Sequence, residues 1–344
     1  MRLLLITDTH GSLDQINPLA EATACDGVIH AGDFGFYDDQ SAHRLSEREL
    51  NLRIIHSEID ATEKKEALAL ASGKKRDFVR ERLPLSQLSQ YLNGERQFAV
   101  PIYAVWGNHE DTEVVKKFYA GEYTVPNLCV LHDKSAFRAG GCQVFGVGGN
   151  LLMGRKFFQE PIAGGGGKVW TTLSQYVDLI GSAENQQPNS ETRILVSHVS
   201  PGKEPFVSLV GACTGASFII SGHMGPPFSM CWNEFAIREP EESIRRLEQC
   251  VADVCGQSEQ LDQIARESAT KLRACFLRCQ QEVIPIGRGL KAPRWYREMF
   301  CINLPDCHAG YAVLVVEHGS AHIDTCAIGG WNQQGEQADA LDKE

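Results

Sequence analysis

Residues 101–110 read Pro-Ile-Tyr-Ala-Val-Trp-Gly-Asn-His-Glu, an apolar run that stops at a glycine and continues into three polar side chains. An apolar run of this length, bounded by a turn residue, is typical of a strand that is buried on both faces. The same arrangement occurs near residue 6, where the run 2–6 leads into Thr7-Asp8-Thr9-His10. The two stretches predict that polar side chains follow buried strands at the point where each strand ends.

Short runs rich in Val, Ile and Leu recur along the chain, and each ends near Gly, Asp, Asn or His. Their ranges are 2–6, 27–31, 101–106, 143–148, 193–197 and 217–221. A last pair of runs, 311–317 and 321–325, is separated by His318-Gly319-Ser320 and predicts an antiparallel hairpin that closes a sheet. The pattern indicates a layered α/β fold.

Two longer segments have a different composition and predict helices. Residues 40–92 are dense in Glu, Lys, Arg, Ala and Leu, and residues 239–283 place apolar side chains at helical spacing. We expect both to be helical insertions within a single domain that spans residues 1–330 and is followed by a polar tail, 331–344. Four consecutive glycines in the stretch 161–167 predict a flexible loop.

Composition narrows the classes of function. The chain of 344 residues carries a formal charge of −11, which disfavours binding to bulk phosphate backbone or to anionic membranes. Its first apolar run is too short for a signal sequence or a membrane span, so we expect a cytoplasmic protein. In that setting the 12 cysteines are expected to be reduced thiols.

Residues whose side chains can bind metals or take part in catalysis follow five of the predicted strands. They are Asp8 and His10, Asp33, Asn108 with His109, His198, and His223. Because ligand sites in open α/β sheets lie at the carboxyl ends of strands, these residues should converge in space. Carboxylate and amide oxygens suit hard divalent ions and imidazoles suit zinc, iron or manganese, so the mixture is typical of a two-metal hydrolytic site.

The ordered series Asp-x-His, Gly-Asp, Gly-Asn-His-Glu, a lone His and then Gly-His resembles the motif series of the calcineurin-like metallophosphoesterase superfamily. The resemblance runs from residue 8 to residue 223 and implies a β-sandwich flanked by helices. It also implies a dinuclear centre of Mn²⁺, Fe²⁺ or Zn²⁺ that activates a water molecule or hydroxide for attack on a phosphoester. By the resemblance, Asp8 and His10 bind the first metal and Asp33 bridges the two. The second metal is then bound by Asn108, His198 and His223.

The resemblance assigns His109 to catalysis, in contact with the substrate phosphate and the leaving group. The chain departs from the family pattern at Gly225, where the motif Gly-His-x-His would place a histidine ligand of the first metal. The first metal therefore binds more weakly, takes a water or a residue from elsewhere in the chain, or is absent. Arg155 and Lys156, in a loop after Gly148-Gly149-Asn150, are candidate contacts for the substrate phosphate.

The leading hypothesis for function is metal-dependent hydrolysis of a phosphoester, with a phosphodiester favoured over a monoester. The protein phosphatases of the superfamily continue Gly-Asp, three residues on, with Asp-Arg-Gly, whereas in this chain Phe36-Tyr37-Asp38 follows Gly35, which argues against a Ser/Thr protein phosphatase. The expected substrate is a small phosphoester, with RNA ends or branches as an alternative, and no membrane partner is expected. Phosphomonoester hydrolysis is a second hypothesis, and a catalytically weakened scaffold that binds metal or phosphate is a third.

Overall fold

The structure is a computed structural model, and it describes residues 1–55, 57, 59–151, 155–185, 192–223, 231–232, 240–258, 260, 262–281, 283–286, 289–293, 295–317 and 320–328. The strands, numbered along the chain, are β1 (Arg2–Ile6), β2 (Gly27–His30), β3 (Ile102–Ala104), β4 (Leu128–Val130), β5 (Ala136–Ala139), β6 (Cys142–Val147), β7 (Ala163–Gly164), β8 (Val169–Trp170), β9 (Thr192–Ser197), β10 (Phe218–Ser221), β11 (Cys231–Trp232), β12 (Val283–Ile286), β13 (Leu290–Pro293), β14 (Phe300–Asn303), β15 (Gly310–Glu317) and β16 (Ser320–Ala327). The helices are α1 (Ile16–Ala22), α2 (Ser41–Arg44), α3 (Glu47–Ile55), α4 (Ala61–Ala69), α5 (Ser72–Arg82), α6 (Leu88–Leu92), α7 (Thr112–Tyr119), α8 (Leu173–Asn185), α9 (Pro205–Thr214), α10 (Pro240–Ser258), α11 (Gln263–Cys279) and α12 (Trp295–Glu298).

Two six-stranded sheets form the core. The first has the order β16-β15-β1-β2-β3-β4 and the second the order β11-β14-β10-β9-β6-β5. Strands β1 to β4 are parallel, as are β6, β9, β10 and β14. The predicted hairpin is β15 and β16, and β15 pairs antiparallel with β1.

Successive side chains of β1 point to opposite faces of the first sheet. Leu3 and Leu5 are buried between the two sheets, whereas Leu4 and Ile6 are buried against the outer elements of the first sheet. Helices α1 and α7 cover that outer face, and α8 to α11 cover the outer face of the second sheet. The predicted β-sandwich flanked by helices is therefore confirmed.

Both segments with helical composition form helices. Residues 40–92 contain α2 to α6, with a small apolar core of their own that includes Leu50, Ile54 and Val79. Residues 239–283 contain α10 and α11, which pack on each other and on α8 and α9. The described helices include none that is long and apolar enough to cross a membrane.

The glycine stretch is more ordered in its pairing than the sequence predicts. Ala163 and Gly164 pair with Val169 and Trp170 as a two-stranded ribbon, so the predicted flexible loop over 161–167 contains a short strand at residues 163 and 164. The turn between the strands takes positive φ angles at each glycine from 164 to 167, which explains why glycine occurs there. The ribbon lies against the site, because the Val169 N–H donates to Asn108 O at 3.0 Å.

Candidate metal centre

The six predicted metal ligands meet at one edge of the sandwich. Each follows a strand at its carboxyl end: Asp8 and His10 follow β1, Asp33 follows β2, Asn108 follows β3, His198 follows β9 and His223 follows β10. Parallel strands present their carboxyl ends at one edge, so residues over 200 positions apart become neighbours. The structure thus brings the predicted residues together, and their role as metal ligands stays a prediction.

The first group consists of Asp8, His10 and Asp33. His10 Nε2 lies 3.9 Å from Asp8 Oδ1, and His10 Nδ1 lies 3.9 Å from Asp33 Oδ2. Asp8 and Asp33 are buried, whereas the His10 side chain is 44% exposed. This side of the centre is therefore open to a ligand arriving from solvent.

The second group shares Asp33 with the first. His198 Nε2 lies 3.7 Å from Asp33 Oδ2, 2.9 Å from Asn108 Oδ1 and 3.0 Å from His223 Nδ1. Asp8, Asp33 and His198 bring ligand atoms within 4.8 Å of one another. Asp33 is the one residue that belongs to both groups. Its Oδ2 lies 3.9 Å from His10 Nδ1 in the first group and 3.7 Å from His198 Nε2 in the second.

Four of the six residues have a backbone conformation that is rare outside glycine. Asp8, His10, Asp33 and His223 have φ angles of 54°, 46°, 47° and 65°. Such angles cost about 1–3 kcal/mol each and persist only when the surroundings enforce them. Here the loops hold one another, since Asp8 N–H donates to Gly32 O at 2.9 Å and His10 N–H donates to Asp33 O at 2.8 Å. These backbone conformations are therefore held in place where the four side chains meet.

Gly107 leaves room for the Asp33 carboxylate. A Cβ at position 107 would lie 1.9 Å from Asp33 Oδ1 and 2.1 Å from Asp33 N. Gly107→Ala should therefore displace the carboxylate, lower the metal content of the protein and destabilise it by about 1–3 kcal/mol. Metal analysis and thermal unfolding test this. Gly73→Ala is the matched control, because a Cβ there meets nothing within 4 Å in helix α5 and should leave the metal content unchanged.

Electrostatics explain why a cation fits between the carboxylates. Burial and the neighbouring charge of Asp33 raise the pKa of Asp8 to about 7. Burial also acts to raise the pKa of Asp33, but His198, His10 and His109 outweigh it and hold that pKa at about 2. Two buried carboxylates this close repel each other, and a divalent cation would remove that repulsion.

The imidazoles have the protonation state that metal ligands need. Burial lowers the pKa of His198, and burial together with His198 lowers the pKa of His223 to about 3. Both rings are therefore neutral at pH 7, with a free lone pair for a metal. Two carboxylates, an amide oxygen and three imidazoles fit a pair of divalent transition-metal ions. With ions bound, such a site can bind and polarise a phosphate.

His109 lies at the rim, beside a partner that the sequence did not indicate. Its N–H donates to Asp33 Oδ1 at 2.8 Å, and its ring Nδ1 lies 3.3 Å from Glu49 Oε2. The hydrogen bond with Glu49 raises the pKa of His109. Glu49 is buried on helix α3 of the first insertion, and the His109 ring is 38% exposed. The insertion thus contributes a carboxylate that orients the exposed histidine.

Two lysines lie near the opening. Lys168 Nζ is 3.9 Å from Glu49 Oε1, and the Lys168 backbone O accepts a hydrogen bond from Thr112. Lys203 is exposed, and its charge acts on His198 and His223. The side chains of the predicted phosphate contacts, Arg155 and Lys156, lie outside the described residues. Lys168 and Lys203 therefore act electrostatically on histidines of the centre, and the sequence analysis did not propose either of them.

Glu110 holds the two central loops together from below. Its buried carboxylate accepts hydrogen bonds from the N–H groups of Gly35, Phe36 and Gly107 at 3.2, 2.6 and 3.2 Å. These contacts connect the loop of Asp33 to the loop of Asn108. The last residue of the Gly-Asn-His-Glu motif therefore supports the site and does not face the cation position.

The comparisons with known proteins bear on the family of the chain. The sequence model of the calcineurin-like phosphoesterase family matches residues 1–227. No curated protein matches the chain. One solved crystal structure aligns with 94% of this chain and 98% of its own at 12% identity and a TM-score of 0.46, a likeness too distant to bear on function. The family match covers well over half of the 344 residues and every predicted metal ligand. The chain therefore belongs to the calcineurin-like phosphoesterase family, a family of metal-dependent hydrolases of phosphoesters.

Proposed function

We propose that this protein hydrolyses phosphodiesters at a dinuclear metal centre. The observation that carries the proposal is the pair of ligand groups that overlap at Asp33, next to an exposed His109. Divalent ions bound there would neutralise phosphate oxygens and lower the pKa of a water molecule to the neutral range. We assign protonation of the leaving group to His109 and orientation of its ring to Glu49.

In this proposal His109 donates a proton to the leaving group. Its ring is oriented by Glu49 at 3.3 Å, and the same contact favours the protonated ring. A protonated imidazole at the rim can donate a proton to the departing oxygen. Asp33 also accepts the backbone N–H of His109, so the ring position is tied to the bridging carboxylate.

The preference for a diester rests on the charge available to the phosphate. A site that binds a monoester dianion needs more positive charge than one that binds a diester monoanion, and pairs of arginines usually supply that charge. Arg44 pairs with the carboxylates of Asp38 and Asp111 at 2.5 and 2.6 Å, which offset its charge. Lys168 lies close to a carboxylate that offsets its charge. This supply of charge favours the singly charged substrate.

Metal-stripped protein resupplied with Mn²⁺ should hydrolyse bis-p-nitrophenyl phosphate with kcat/KM at least ~10-fold above that for p-nitrophenyl phosphate. Zn²⁺ and Fe²⁺ should be compared under the same conditions, with the metal content measured for each. Faster turnover of the monoester would contradict the proposal and favour the hypothesis of phosphomonoester hydrolysis. Bound metal without turnover of either ester would favour the scaffold hypothesis.

A further inference from the structure

Asp306 lies beside the first ligand group, on the loop after β14. Strand β14 runs parallel to β10, with Asn303 opposite Ser221, so its carboxyl end reaches the same edge of the sandwich. The Leu304 N–H donates to Ser221 O at 2.8 Å, and the Cys307 N–H donates to Thr7 O at 3.0 Å. These two bonds fix the loop next to the residue that precedes Asp8.

The Asp306 side chain is buried without full hydrogen bonding. It is 4% exposed, and its Oδ1 is buried with no hydrogen-bond partner. Burial raises the pKa of Asp306, and among its neighbours His10 acts on that pKa most, followed by His308 and Asp33. An unpartnered carboxylate oxygen in a buried position costs free energy unless a cation or water satisfies it.

The first ligand group is also short of ligands. It offers Asp8, His10 and a share of Asp33, whereas zinc takes four ligands and manganese commonly more. The second group offers Asn108, His198 and His223 in addition to Asp33. Of the other residues near this edge, His308 is exposed, and the side chain of Cys231 lies outside the described residues.

We propose that Asp306 is a ligand of the first cation, bound directly or through one water, in place of the histidine that Gly225 removes. The inference rests on the proposed dinuclear function. It gives the first site three carboxylates and one imidazole, an oxygen-rich set that favours a hard cation such as Mn²⁺. The second site, with two imidazoles, suits zinc or iron equally well.

Calorimetric titration of metal-stripped protein with Mn²⁺ alone tests this without measuring activity. The unsubstituted protein should bind two ions, and Asp306→Asn should raise one of the two Kd values by about 10- to 100-fold. Asp133→Asn is the matched control. Asp133 is also buried with an unpartnered Oδ1, but its Oδ2 accepts a hydrogen bond from the Tyr119 hydroxyl at 2.8 Å. The control should keep both Kd values.

Unchanged binding of two ions by Asp306→Asn would overturn the role of Asp306 and leave the dinuclear centre intact. Fewer than two ions in the unsubstituted protein would overturn the dinuclear centre, and the single Kd would still show whether Asp306 matters. If Asp306→Asn does not fold, anomalous scattering from Mn²⁺-soaked crystals of the unsubstituted protein decides. A manganese peak at the first site, beside Asp8 and His10, that has neither Asp306 nor a water held by Asp306 in its coordination sphere would refute the assignment.

Discussion

Asp33→Asn should lower kcat/KM for a phosphodiester by roughly 10³-fold, on the order of 4 kcal/mol of transition-state stabilisation. Asp33 Oδ2 lies 3.7 Å from His198 Nε2 and 3.9 Å from His10 Nδ1, so it is the oxygen that both ligand groups share. An asparagine can keep one oxygen, and the hydrogen bond from His109 N–H competes for it. The amide NH₂ would then face the cations, which it cannot bind.

The same substitution should release bound metal, and this separates it from a general loss of structure. Metal analysis should find less than the full content in Asp33→Asn, while circular dichroism remains that of the folded protein. Asp38→Asn is a useful control from the same loop, because Asp38 pairs with Arg44 and Lys117 instead of the ligand groups. Asp33→Asn that keeps its metal and its rate would mean that the two groups do not share a bridging carboxylate.

The convergence of the candidate ligands could be predicted from the sequence because their positions depend on strand ends. Asp8, Asp33 and Asn108 each follow a short apolar run, and parallel pairing of those runs is enough to bring them to one edge. The two helical segments were also predictable from their composition. The packing of those helices was not, because a periodic pattern indicates which face is apolar and not which surface it meets.

Glu49 and Asp306 were missed for different reasons. Glu49 is one acidic residue among several on a charged helix, and only the packing of α3 against the centre shows that it is buried. Asp306 follows β14, whose apolar run Phe300-Cys301-Ile302 is too short to stand out as a strand. Identifying that strand would have placed Asp306 by the same rule that placed Asp33. Lys168 follows a glycine stretch, and its position depends on the ribbon that those glycines form.

His109→Ala should lower kcat for a phosphodiester by about 10²- to 10⁴-fold, the usual range for removal of a general acid. The metal content should not change, because the His109 ring is not among the side chains assigned to the ligand groups. KM should change little if the ring acts in the transition state and not in ground-state binding. Loss of metal from His109→Ala would instead indicate that the ring helps to hold the centre.

Glu49→Gln should lower kcat by about 10- to 100-fold through its effect on the His109 ring. Glu47→Gln is the matched control on the same helix, because Glu47 is exposed and pairs with Lys75 Nζ at 3.3 Å. The double variant of Glu49→Gln and His109→Ala decides whether Glu49 acts through the ring. If it does, the double variant should be no slower than His109→Ala alone, since the carboxylate has no ring left to orient. Additive losses would assign Glu49 a separate role, with Lys168 as its nearest partner.

The dependence on leaving group distinguishes proton donation from simple packing. Phenolate is a poorer leaving group than p-nitrophenolate, so its departure depends more on a donated proton. Diphenyl phosphate should therefore lose more rate than bis-p-nitrophenyl phosphate in both His109→Ala and Glu49→Gln. A structural defect would slow the two esters equally, because it would alter the folded site and not the demand for a proton. A larger loss for diphenyl phosphate would identify the 3.3 Å contact between Glu49 and His109 as the route by which the first helical insertion contributes to catalysis.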